Sequence, residues 1–271
     1  MDFYSILLDK KLGGIDDLPS DFNLYVNRTL TTVTTKMLDG ITKIGESAFS
    51  DCNSLTSVEI PNSVTSIGYS AFRGCTSLPS IEIPNSVTSI GEYAFSNCSS
   101  LPSFTIPNSV TSIEPRVFSN CSSLTSIELP NRLVEITIQL FDNCTSLTSV
   151  TIPNSVTSIG SSAFSNCTSL SSVTIPNSVT SIRSSAFSRC TSLTSIEIPS
   201  SVTVMEYSIF SFCNNLTRVT VWANTPPTLG FGAFSNTASN LVIYVPSGSV
   251  NAYKAATNWS TYSSKIQAIP S

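Results

Sequence analysis

The residues of this sequence most suited to chemistry are eight cysteines. They stand at Cys52, Cys75, Cys98, Cys121, Cys144, Cys167, Cys190 and Cys213, each 23 residues from the next. Thiols at so regular an interval could form disulfides or a column of metal ligands. Stacked in parallel, however, they would hold their Cβ atoms about 4.8 Å apart, wider than the ~3.8 Å mean of a disulfide. Metal sites want ligands converging from several directions, commonly in C-x-x-C pairs, and the sequence has no such pair. The thiols are therefore expected to be free, buried and packed as small hydrophobes, a pattern that suits a reducing or anaerobic setting. A second candidate is the pair Glu59 and Glu82, one repeat interval apart. On adjacent strands their carboxylates would be about 5 Å apart, a separation suited to acid–base work. Nothing flanking them shields them from water or offers a substrate pocket, so a solvated sheet face with mild like-charge repulsion is expected. The chain has no histidine, which removes Ser-His and Cys-His nucleophile pairs, His-ligated metals and the commonest general base. A phosphate-binding glycine loop, a calcium loop, a G-x-S-x-G elbow and a basic run are absent as well. The expectation is a protein that is not an enzyme and carries no cofactor or metal.

The interval of the cysteines governs the whole middle of the chain. It relates eight phenylalanines from Phe49 to Phe210, eight leucines from Leu55 to Leu216, and seven prolines from Pro61 to Pro199, with Trp222 in the eighth proline slot. One unit reads V-T-S-I-G-x-x-A-F-x-x-C-x-S-L-x-S-I-x-I-P-N-S. A fixed period of this size marks a solenoid, in which no unit buries its apolar wedge alone and stacking makes one continuous core. Within Leu55 to Ile60, apolar Val58 and Ile60 alternate with Ser57 and Glu59, the period of a strand. Pro61 has no N–H and ends that strand; Asn62 and Ser63 supply turn hydrogen bonds. Val64 and Ile67 return to the core as a second extended segment on the opposite wall. Ala71, Phe72 and Cys75 are spaced as one helical or 3₁₀ turn with a single face inward. The phenylalanine ladder is core.

Composition agrees with that architecture. Of 271 residues, 41% are hydrophobic and only 11% charged, under half the usual ~25%. There are 52 Ser and 31 Thr, so the hydrophilic surface consists of hydroxyls and amides rather than ion pairs. A net charge of −4 with 13 scattered Lys and Arg gives no electrostatic footprint for nucleic acid or anionic membrane. No apolar run approaches the ~18–20 residues of a bilayer span.

The outward positions of the first strand form two columns. One is Ser57, Ser80, Ser103, Ser126, Ser149, Ser172, Ser195 and Arg218; the other is Glu59, Glu82, Thr105, Glu128, Thr151, Thr174, Glu197 and Thr220. This face is the candidate for protein binding, because solenoids present such extended surfaces to partners. Its small hydroxyls differ from the Trp, Tyr and Arg of a typical hot spot. Departures from the repeat are the other source of information, since the scaffold does not dictate them. The densest places Arg116, Arg132, Glu135, Ile138 and Gln139 on neighbouring rungs, either as drifted repeats or as a recognition patch. The slot of Gly45, Gly68, Gly91 and Gly160 holds Glu114, Thr137, Arg183 and Glu206 in the other units, so it does not demand positive φ.

The motif C-x-S-L-x-S-I-x-I-P-N-S-V-T-S-I-G-x-x-A-F, running from about Ile41 to Asn224, resembles the leucine-rich repeats of the BspA-like, treponemal type. The resemblance implies an α/β solenoid, β-dominated, built as a leucine-rich-repeat right-handed superhelix with short parallel strands on its concave face. It also implies a surface-exposed adhesion or recognition protein of a gut bacterium, with a host extracellular or cell-surface protein as partner. A phage or prophage attachment component and an intracellular scaffold are the alternatives. The chain divides by this reading into an N-terminal helix and irregular capping rung over 1–40, eight repeats over 41–224, and a degenerate rung with a C-terminal cap over 225–271. Residues 30–44 align with the repeat once two residues are inserted. Phe3, Ile6, Leu7 and Leu12 would line one face of a short helix ending at Gly13 and Gly14. The apolar run from Tyr4 to Leu8 is short and lacks a small-residue cleavage site, so it does not read as a signal peptide. The segment Ile6 to Gly14 is similar to openings of phage-encoded proteins of gut Firmicutes. At the other end, residues 245–259 read as a helix capped by Ser247 or Ser249, with Val250, Tyr253 and Trp259 covering the last rung.

Overall fold

The computed structural model describes residues 30–270, so the helix expected within the first 14 residues lies outside the described residues. Two compact units are distinguished, Met1–Leu133 and Val134–Ser271. Each is a stretch of β-dominated solenoid in which every strand pairing is parallel and joins successive turns.

In the first unit the strands of one wall are β1 (Thr32–Val33), β3 (Ser57–Val58), β6 (Ser103–Thr105) and β8 (Ser126–Glu128). Those of the opposite wall are β2 (Lys43–Ile44), β4 (Ser66–Ile67), β5 (Ser89–Ile90) and β7 (Ser112–Ile113). The register follows the repeat: Ser66 pairs with Ser89 and Ser89 with Ser112. Thr32 pairs with Ser57, two residues beyond the repeat interval, because the first rung carries its two-residue insertion between β1 and β2. In the second unit the first wall consists of β10 (Ser149–Thr151), β12 (Ser172–Thr174), β14 (Ser195–Ile198), β16 (Arg218–Val221) and β18 (Val242–Val245). Its second wall is a single ladder of β9 (Glu135–Ile136), β11 (Ser158–Ile159), β13 (Ser181–Ile182), β15 (Val204–Met205) and β17 (Thr228–Leu229).

The turn between the walls closes through the backbone: Val64 N–H donates to Pro61 O at 3.0 Å, and Val179 repeats this with Pro176 at 3.0 Å. The serine expected to serve that turn reaches elsewhere, since Ser63 Oγ donates to Ile41 O of the preceding rung at 2.7 Å. Ser86, Ser178 and Ser201 do likewise. Threonine of the V-T-S-I segment adds a second series, Thr88 to Thr65 O at 3.2 Å and Thr180 to Thr157 O at 3.2 Å. Much of the hydroxyl content thus stitches one rung to the next.

The Ala-Phe-x-x-Cys segment is not a helical turn. Ser47 and Asp51 have φ of 54° and 58°, Ser162 and Asn166 55° and 58°, and the same two slots are left-handed throughout the repeats. A residue in that region breaks the i→i−4 ladder of a helix. Tight turns result, such as Cys52 N–H to Phe49 O at 3.2 Å, while Ser47 and Phe49 send their N–H groups to Tyr69 O and Ala71 O of the next rung. Asparagine before cysteine, as at Asn97, Asn120, Asn143 and Asn166, suits one of these slots because its short polar side chain tolerates φ > 0. The glycine slot itself lacks positive φ, as expected. A Cβ on Gly160 would nevertheless come within 2.7 Å of Ile136 O, so the backbones approach closely there.

The core is a set of vertical ladders. Phenylalanine rings stack face to face, Phe49 on Phe72 at 5.2 Å and Phe72 on Phe95 at 5.4 Å in one unit, Phe164 on Phe187 at 5.2 Å and Phe187 on Phe210 at 5.5 Å in the other. All eight thiols are free and buried. Each of six donates to the carbonyl of a spine phenylalanine, for example Cys98 Sγ to Phe72 O at 3.1 Å and Cys190 Sγ to Phe164 O at 3.2 Å. Burial pushes Cys121 up to about 12 and shifts Cys75, Cys98, Cys167 and Cys190 in the same direction.

At the C-terminal end β18 pairs with β19 (Ile266–Ala268), and a 3₁₀ turn (Ser247–Ser249) leads into the helix Val250–Ala255. Ser249 does not cap that helix; its hydroxyl donates to Asn224 O at 2.6 Å, tying the helix start to the rung beneath. Tyr253 and Trp259 are fully buried, donating to Ala223 O and Pro227 O at 2.8 Å each, whereas Val250 is only half-buried. No helix among the described residues is long and apolar enough to cross a membrane.

Candidate functional site

Strand pleating places the two expected columns on the outer face of the first wall. Ser57, Ser80, Ser103, Ser126, Ser149, Ser172, Ser195 and Arg218 are exposed, as are Glu59, Glu82, Thr105, Glu128, Thr151, Thr174 and Glu197. Thr220 departs from the expectation, being only 2% exposed. Tyr244 is in register with it on the neighbouring strand, and Trp222 follows two residues along the same alternation. Arg218 lies over the Tyr244 ring at 4.8 Å, a cation–π contact.

The wall is not continuous. In the first unit residues 80–82 form no strand, so β3 pairs only with β1 and β6 only with β8. The cause is local. In intact rungs the residue after the repeat leucine donates its N–H backward, Thr56 to Thr31 O and Thr125 to Pro102 O, both at 2.8 Å. Pro79 and Pro102 occupy that slot and have no N–H to give. A recess of about 280 Å³ lies here, lined by Thr35, Val58, Glu59, Ile60, Asn62, Glu82 and Pro84. Glu59 accepts the Thr35 N–H at 3.2 Å. The two carboxylates singled out by spacing therefore share one recess, and both are exposed to water.

The second unit opens at the corresponding slots, five repeats later. β12 pairs with β10 and β14 with β16, but β12 and β14 form no ladder with each other. Thr194 has an N–H available there, and nothing in the sequence explains why these rungs part. Val173 on the floor is half-buried, while its counterparts Val150 and Ile196 are 6% and 2% exposed. The cleft of about 680 Å³ is lined by Asn154, Ser172–Asn177, Ser195–Glu197, Pro199, Ser200 and Trp222. Trp222 is 46% exposed, and its indole N–H donates to Glu197 Oε2 at 3.2 Å.

The residues of the second suggested patch are distributed over several elements of the two units. Arg116 and Arg132 fall in the first unit, Glu135 and Gln139 in the second. Arg116 and Gln139 occupy the left-handed slot of the Phe segment, with φ of 61° and 53°, whereas Glu135 is on β9 of the second wall. Arg132 fills the slot whose serine elsewhere bonds the preceding rung. The Arg116 guanidinium is occupied within its own unit, 2.9 Å from Glu92 and 5.3 Å from the Tyr93 ring centroid.

Sequence reasoning passed over Trp222 as a functional residue, although its signal was visible as the break in the column of prolines. Asn154 and Asn177, which occupy the slot of the turn residue Asn62, also line the cleft.

Comparison with known proteins bears on most of the chain. The family described as BspA type Leucine rich repeat region, in six copies, matches residues 23–147 and 134–261. No curated protein sequence matches. Among solved structures, a leucine-rich repeat protein from Bacteroides ovatus is 24% identical, covers 90% of this chain and 85% of its own, and has a TM-score of 0.47. A leucine rich cell surface protein from Faecalibacterium prausnitzii is 29% identical over 84% of this chain and 76% of its own, with a TM-score of 0.46. One from Eubacterium ventriosum is 28% identical over 77% and 64%, with a TM-score of 0.49. The repeat motif, the parallel turns it builds and the family match over nearly the full length lead to one conclusion: the chain belongs to the BspA-type leucine-rich repeat family.

Proposed function

We propose that this protein is a non-enzymatic recognition and adhesion module of a bacterial cell surface, meeting a host extracellular or cell-surface protein through its first-strand wall. Membership in a leucine-rich repeat family supports a binding role, since such solenoids offer an extended surface built from equivalent rungs. The observation that carries the reading is the exposure of the two outward columns from Ser57 to Arg218 and from Glu59 to Glu197. Serine and threonine there lose little rotamer freedom when covered, and the interspersed carboxylates favour a partner with basic groups.

Two measurements test this. Protease treatment of intact source cells removes the protein if it is displayed outside, and protection until lysis overturns the surface reading. Ser103→Arg together with Ser172→Arg, which leave the core untouched, reduce binding to host extracellular proteins about tenfold or more. Matching arginines at the exposed Ser122 and Ser239 do not. Equal binding by both sets of variants would remove the first wall from recognition.

A further inference from the structure

The cleft between β12 and β14 has a chemistry that the rest of the wall lacks. We infer that it is a carbohydrate-binding site for short neutral oligosaccharides, with Trp222 as the stacking platform. The indole is 46% exposed on a wall whose other outward residues are mostly Ser, Thr and Glu. Its plane is held by the hydrogen bond from its N–H to Glu197 Oε2 at 3.2 Å, so little freedom is lost on binding. A pyranose presents a face of C–H groups with partial positive charge, which suits the negative face of an aromatic ring.

The rim supplies what the sugar's hydroxyls need. Ser172, Ser195, Asn154 and Asn177 line the cleft, and among the described residues their side chains make no hydrogen bond. Hydroxyls and amides both donate and accept, matching the mixed character of sugar hydroxyls, and Glu197 adds an acceptor. A volume of about 680 Å³ lies within the ~300–1,000 Å³ of small-ligand sites.

Spacing and charge select this class of ligand. An extended peptide inserted as an extra strand would need β12 and β14 about 9.6 Å apart, twice the strand spacing. Cα atoms of the two strands lie within 8 Å of each other, so a strand does not fit between them. Glu197 is the one charged residue lining the cleft, and it disfavours sialylated or sulfated sugars by like-charge repulsion.

The test uses the whole chain and a panel of trisaccharides: chitotriose, mannotriose and laminaritriose as neutral probes, with sialyllactose and a sulfated trisaccharide as acidic ones. Trp222 is exposed while Trp259, the other tryptophan, is buried, so indole fluorescence reports on the cleft. At least one neutral probe changes that fluorescence saturably, and the acidic probes do not. Trp222→Ala weakens binding, read by calorimetry, about tenfold or more, and Glu197→Gln weakens it less. Both variants keep their cysteines unreactive to a thiol reagent until denaturant is added, which separates loss of binding from loss of fold. Binding of no neutral probe, wild-type affinity in Trp222→Ala, or retention only of partners that survive enzymatic deglycosylation would each overturn the assignment. The last result would leave the protein-recognition reading intact.

Discussion

Two openings in the first wall, one in each unit, occupy equivalent slots of the repeat and have become chemically different places. Glu82 in the first corresponds to Glu197 in the second, Pro84 to Pro199 and Asn62 to Asn177. Two of the substitutions between them change the chemistry most. Where the second cleft has Thr174, the first recess has Glu59; where the second has Trp222, the first has Pro107. The first recess consequently carries two carboxylates and no aromatic ring, and Glu59 is taken up by a backbone N–H of Thr35. In the second, a single carboxylate anchors an exposed indole. The repeat makes the backbone of both openings alike, and outward slots free of core packing decide what each is able to bind.

If that separation is confined to the surface, the core beneath must respond equally in both. Phe72 and Phe187 are equivalent spine rings, each stacked on two neighbours and fully buried. Phe72→Ala and Phe187→Ala each cost about 3–5 kcal/mol, measured by urea unfolding. Agreement to within about 0.5 kcal/mol sustains the comparison; a larger gap means that the difference between the openings reaches the core.

Alkaline pH probes the thiol ladder at the same two levels. Burial raises both Cys75 and Cys190 above the ordinary value of 9.0. The fold therefore favours the neutral thiol, and the unfolded chain releases its proton first. This stabilisation is complete below pH 9.0 and is lost as pH rises from there toward the folded value, by about 1.4 kcal/mol per pH unit for each such thiol. Urea midpoints taken from about pH 8 to about pH 11 check this, and a flat profile would contradict the burial of the thiols as described.

The smallest effect concerns the origin of the first opening. Pro79→Thr restores an N–H able to donate to Thr56 O. That bond contributes about 0.5–1.5 kcal/mol, and the more flexible unfolded chain offsets about 0.4–1 kcal/mol of it. Stability therefore changes little, while the amides of residues 80–82 exchange more slowly as they pair with β3. Unchanged exchange would show that proline is not what parts these rungs. No equivalent substitution exists in the second unit, where Thr194 already has its N–H.

Much of this was legible in the residues. Identical spacing of Phe49 through Phe210 and of the cysteines dictates a parallel register, because only stacking in step lets each apolar wedge meet its copy. That the thiols stay free followed from the width of a strand ladder against that of a disulfide, and their burial from cysteine's packing as a small hydrophobe. Left-handed slots were readable in part, from asparagine before cysteine, but Tyr93 and Phe212 at φ near 60° were not, since nothing in their type favours that conformation. Thr220 was placed on the outer face by strand alternation, which says nothing about how far its neighbours cover it; in the fold it is only 2% exposed, with Tyr244 in register beside it.

By itself, then, the sequence determined the repeat, the parallel stacking, the buried ladders and the outward columns, all of which follow from residue type recurring at a fixed interval. Tertiary structure alone decided that the rungs of β12 and β14, which carry no proline at the slot of Pro79, part from each other. That choice turns on hydrogen bonds between residues one full repeat away, and it made Trp222, one irregular letter in a proline column, the wall of a cleft.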